Sequence, residues 1–218
     1  MSRIKPILFN TEMVRAILDG RKTVTRRILK AKLKDDEYGF QVVKRVTDPD
    51  KWGNWYVEKT DEDEFDFSPR RYISPPYEPG DILYVRETWA EFPLQHYHYR
   101  ADFESGRDKL YQETVTDTKW KPSIHMPKEA ARIFLRVTDV RVECLKDMTL
   151  DDFLAEGVVL RPEAFNDPEN AYMQGKKLFI HIWDSTIKKE ELEQHGWNAN
   201  PWVWVIEFAR KEEEDNDR

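Results

Sequence analysis

The chain has 218 residues, 39% of them hydrophobic and 35% charged, and a formal net charge of −7. That length suits one large domain or two small ones, and eight Trp, nine Tyr and eleven Phe can bury a large area in few positions. A single cysteine, Cys144, excludes an intrachain disulfide framework and a cysteine-based zinc site; with no leader-like start and no long apolar run, a cytoplasmic protein without a membrane partner is expected.

In chain order, IKPILF at 4–9 reads as a strand. Asn10 or Thr11 can cap a helix whose apolar face is Met13, Val14, Ile17 and Leu18, and Gly20 can end it in the left-handed conformation. TVTRRIL is β-prone. Residues 30–78 read as a surface insertion with little core, carrying a hairpin of QVVKRV and NWYVEK. PGDILYVRETW feeds a strand with Leu83, Val85, Glu87 and Trp89 on its apolar face and Arg86 on the other. HYHYRAD is a further strand, 103–122 a polar loop, and 132–145 one bent strand or two. Thr149 caps a helix over 149–158, with Asp152 completing a capping-box pattern. Residues 161–175 read as loop, KKLFIHIWDSTI as helix or strand with helix favoured, and 202–209 as a strong strand. The acidic stretch at 211–218 reads as a disordered tail. Scattered strands with three or four short helices predict a single α+β, mainly β domain over 1–210, built as a small mixed barrel with insertions at about 30–78 and 103–122.

PILFNTEMVRAILDGRKTVTRR, PGDILYVRETW, TLDDFLAEGV and NPWVWVIEF, in that order, resemble the ASCH family in its bacterial and phage-associated branch. The resemblance implies a PUA-like β-barrel with flanking short helices and a nucleoside or RNA as partner. Some members of that family are amidohydrolases that deacetylate N4-acetylcytidine with a lysine, a threonine and a glutamate. Carried over by motif, these are Lys22, Thr25 and Glu156, with Glu87 as the rival glutamate.

The residues allow that chemistry on their own terms. A threonine hydroxyl needs a base to become a nucleophile. A lysine serves only if its pKa falls from about 10.4 toward about 7 or 8. Arg21, Arg26 and Arg27 crowd Lys22 and push it that way, because like charges disfavour the ammonium. The geometry is demanding, since positions three apart on a regular strand face opposite ways. Gly20 to Thr23 must therefore turn. Against this stands a plainer alternative, a solvated basic edge with threonines chosen for β propensity.

Arg21, Arg26 and Arg27 are also candidates to hold a phosphate or carboxylate. Trp89, Trp202, Trp204 and Asn200 are candidates to stack on a base or read its edge, and Ser123 and His125 to contact ligand from a loop. Glu87 is equally open to a structural pairing with an arginine. His96 and His98 share a strand face without an evident third ligand, so neither a metal nor a cofactor is expected. Two functional readings stay open: a metal-independent amidohydrolase of acylated nucleosides, and a non-catalytic module that binds RNA or a modified nucleotide. A monomer is the favoured state.

Overall fold

Alternating apolar residues build the strands, and an apolar stripe builds each helix packed on them. The computed structural model describes residues 3–29, 40–45, 55–59, 71–92, 96–104 and 119–211. Strand β1 (Ile4–Leu8) leads into helix α1 (Thr11–Leu18), which Asn10 caps by accepting a hydrogen bond from the Met13 amide at 2.9 Å. Strand β2 (Val24–Ile28) follows. Strands β3 (Phe40–Arg45), β4 (Trp55–Lys59) and β5 (Arg71–Ile73) form a separate three-stranded antiparallel sheet, which contains the expected hairpin. Then come β6 (Ile82–Arg86), the β7 (Trp89–Phe92) and β8 (His96–Tyr99) pair, and helix α2 (Arg100–Glu104). The long strand β9 (Phe134–Cys144), helices α3 (Leu150–Ala155), α4 (Pro168–Ser185) and α5 (Leu192–His195), and strand β10 (Trp202–Arg210) complete the chain.

The main sheet has five strands in the order β1-β6-β9-β10-β2, with β1 parallel to β6 and the other neighbours antiparallel. The fold is thus mixed α+β. Among the described strands no ladder joins β1 to β2, so the sheet is not a closed barrel. Both faces are covered. Ile206, Trp204, Leu135, Val137, Leu83 and Val85 pack with Phe9 and α1 on one side. Val203, Val205 and Val24 pack with Phe153, Phe179, Trp183 and Trp197 on the other. Strand β10 alternates between the two cores, as a strand buried on both faces does.

One expectation needs correction. Residues 161–175 are not loop: a 3₁₀ turn over Pro162–Asn166 leads to Asp167, which accepts from the Glu169 and Asn170 amides and starts the 18-residue α4 with Pro168 in its first turn. Within the 30–78 segment, Ile73 and Tyr77 pack against the first cluster. Residues 30–39, 46–54, 60–70, 105–118 and the tail from 212 lie outside the described residues. Cys144 is half-buried rather than fully so.

Candidate active site

The turn after α1 has the curl that Lys22 requires. Gly20 adopts φ 73°, where a side chain would be strained. The Arg21 and Lys22 amides both donate to the Ala16 carbonyl, at 2.9 and 3.0 Å. The chain therefore wraps the end of the helix, and regular strand begins only at Val24. Next to the turn lies the C-terminus of α3: Lys22 bridges to Glu156, and the Thr23 amide donates to the Ala155 carbonyl at 2.9 Å. Gly157 makes this contact possible. It sits at φ 96°, and a Cβ there would lie 2.8 Å from the Ala16 Cβ and 3.2 Å from the Lys22 Cβ.

Lys22 is 2% exposed. Its Nζ lies 2.5 Å from Glu156 Oε2, 2.8 Å from the Val24 carbonyl and 3.0 Å from the Glu156 carbonyl. Burial pushes the ammonium below its ordinary pKa. Glu156 opposes that shift, while Arg27 and Arg26 add to it. The other Glu156 oxygen is 3.4 Å from Arg26, which also pairs with Asp152 at 2.6 Å and Glu143 at 3.3 Å. Thr25 is buried. It follows Val24, so Nζ donates to the carbonyl of the planar peptide bond that leads into Thr25. In the register with β10, Thr25 sits opposite Ile206 and Arg27 opposite Trp204, which puts both on the Phe9 side of the sheet. Lys22 Nζ and the Arg27 guanidinium stand 5.8 and 5.4 Å from the centre of the Phe9 ring.

Arg27 connects this cluster to a cleft of about 460 Å³ between the two edge strands. Its Nη2 donates to the Leu8 carbonyl at 2.7 Å, from one edge of the sheet to the other. Arg86, Tyr77 and Trp204 line the same cleft, which is within the size range of small-ligand sites. Tyr77 is fixed there by donating to the Pro6 carbonyl at 2.9 Å. Lys22, Thr25 and Glu156 lie behind Arg27 and do not line it.

The remaining candidates lie elsewhere. Arg26 faces the second core and is held by three carboxylates, so it is no ligand anchor. Arg21 is engaged by Asp19 at 3.0 Å and the Gly157 carbonyl at 2.8 Å. Glu87 is 1% exposed and is engaged by groups other than Lys22. Arg132 holds it with two hydrogen bonds of 2.9 and 3.1 Å while also pairing with Asp102. Glu87 is a structural ion pair: Glu87→Gln is expected to lower unfolding free energy by about 2 kcal/mol. Chemical denaturation checks the size, and the wild-type pH profile of any turnover should persist. Trp89 packs under Lys121, 4.5 Å from its ring centre, in a third small cluster. Asn200 shapes the β9–β10 connection with φ 50° and accepts from the Lys146 amide at 2.7 Å. Trp202 and the Ser123–His125 turn are outside the cleft lining, although the turn is tied to Arg86 through the Ile124 carbonyl. Phe9, Tyr77, Arg86 and Asp152 were not singled out by the sequence as site residues, whereas Trp204 was a candidate to stack on a base. The alternation of β6 carried a signal for Arg86, since it points away from the apolar face.

No family model, curated protein or solved structure matches the chain, so the geometry carries the functional argument. Among the described residues no three His, Cys, Asp or Glu gather as a metal site, and no helix is long and apolar enough to cross a membrane.

Proposed function

We propose that the chain is an ASCH-type, PUA-like protein whose five-stranded sheet curls into a barrel with Arg27 across its open seam, and that it hydrolyses the amide of an N4-acetylcytidine-like nucleoside without a metal. One observation carries this reading: a fully buried lysine lies 2.5 Å from a glutamate whose side chain is 7% exposed, and it donates to the carbonyl of the peptide bond that leads into a buried threonine. Burial disfavours the Lys22 ammonium, so its neutral amine is the base. Neutral Lys22 then takes the Thr25 proton as Oγ1 attacks the acetyl carbonyl. The C–N bond breaks as the exocyclic nitrogen receives a proton by way of Lys22 and Glu156. Water hydrolyses the acetyl ester on Thr25, giving acetate and restoring the hydroxyl. The amide reaches the base past Arg27, which stands over the same Phe9 ring as Lys22.

Thr25→Ala is expected to reduce N4-acetylcytidine turnover at least about a thousandfold, the scale lost when an activated nucleophile is removed. A chelator should change nothing. Chromatographic detection of cytidine, with a melting curve beside it, is the check; an active Thr25→Ala protein removes the mechanism.

The second reading, a module that binds nucleotide or RNA without chemistry, has its own support. Three acceptors surround Lys22 Nζ, matching the three donors of an ammonium. It predicts ligand binding that weakens with salt and no turnover by the wild-type protein.

A further inference from the structure

Arg3, Arg15, Arg21, Arg26, Arg132 and Arg141 pair with carboxylates. The two arginines that line the edge-strand cleft do not. Arg27 donates to the Leu8 carbonyl, and Arg86 donates through Nη2 to the Ile124 carbonyl, but among the described residues neither makes an ion pair. Among the described residues, the buried Arg86 Nε has no hydrogen-bond partner. The two groups are neighbours through Leu8, which is the register partner of Arg86 and supplies the carbonyl that Arg27 holds. Trp204 stands opposite Arg27 in the β10–β2 register and forms the aromatic wall of the same cleft with Tyr77.

Two guanidinium groups in a largely apolar cleft are poorly compensated until an anion enters. A phosphate matches their fork geometry, and a base fits against an indole face. We infer that the cleft takes a pyrimidine nucleoside monophosphate, with its phosphate held between Arg27 and Arg86 and its base against Trp204. The substrate is then a nucleotide rather than a free nucleoside. This rests on the nucleoside reading of the same cleft.

Calorimetric titration of the full chain with CMP, cytidine and inorganic phosphate tests it. CMP should bind at least about tenfold more tightly than cytidine, the factor expected from one charge-assisted contact. Arg86→Gln should bring the two within about twofold, and Arg86→Lys, which keeps the charge without the fork, should fall between. Added salt should weaken CMP and leave cytidine nearly unchanged. Should Arg86→Gln not fold, the wild-type ratio and its salt dependence decide. Equal affinities, a preference that survives Arg86→Gln, or no CMP binding overturns the inference, and phosphate binding as tightly as CMP overturns the nucleotide assignment. Deacetylation of N4-acetylcytidine with equal CMP and cytidine affinities would leave the hydrolase standing and remove only this step. CMP preference without deacetylation does the reverse.

Discussion

Replacing Glu156 by glutamine is expected to destabilise the protein by about 3 kcal/mol and to abolish turnover. Lys22 has no exposed side-chain surface and Glu156 has 7%, so water cannot take the place of a missing partner. Without the carboxylate, Lys22 is left beside Arg26 and Arg27, both of which already disfavour its charge. Lys22→Met leaves Glu156 facing Arg26 alone at 3.4 Å and should lose a similar amount. The double replacement Lys22→Met with Glu156→Gln removes both buried charges, so its loss should fall well short of the sum of the singles. Urea unfolding of the four proteins gives the coupling directly. Losses under about 1 kcal/mol for both single variants would mean that the pair is hydrated in solution. Activity separates a structural pair from a working one: the double variant can recover stability, but it has no base and should remain inactive.

Gly157→Ala is expected to be nearly as damaging, at about 2–3 kcal/mol, though no charge is touched. Its φ of 96° strains any residue with a Cβ, and the added carbon would meet Ala16 at 2.8 Å. Relief requires the end of α3 to move away from α1. That movement would draw Glu156 from Lys22 and loosen the Arg21 contact to the Gly157 carbonyl at 2.8 Å. The variant should therefore lose stability and turnover together, read by thermal melting and by initial rates. Wild-type rates in a protein that melts normally would show that the helix junction does not position the site.

Both predictions concern a junction that was only half legible in the sequence. The helix stop at Gly20, the basic turn and the capping box at Thr149 are local chemistry, and short-range rules read them. Glu87 stayed a rival to Glu156 because the choice depends on partners 45 and 134 positions away. The burial of Glu87 followed from strand alternation; its capture by Arg132 did not. Arg26 and Arg27 looked equivalent, yet adjacent strand residues face opposite ways. One is consumed by Asp152, Glu143 and Glu156, and the other is left to the cleft. Helix α4 was masked by the polar stretch before it, where Asp167 and Pro168 marked its start. The contribution of Tyr77 was hidden for a similar reason, because a charged, Pro-rich insertion gives no periodic signal for a ring that returns to the core.

The most direct measurement is the titration of the Lys22 side-chain nitrogen by NMR in the intact protein, assigned with Lys22→Met. The proposed mechanism requires that nitrogen to lose its proton below the ordinary lysine value of 10.5. The pH profile of kcat/KM should then rise with increasing pH through the same point and level off, because the neutral amine is the working form. A Lys22 nitrogen that stays protonated up to or beyond the ordinary lysine value would contradict the account: Thr25 would have no base, and the buried pair would be a structural contact behind a binding cleft.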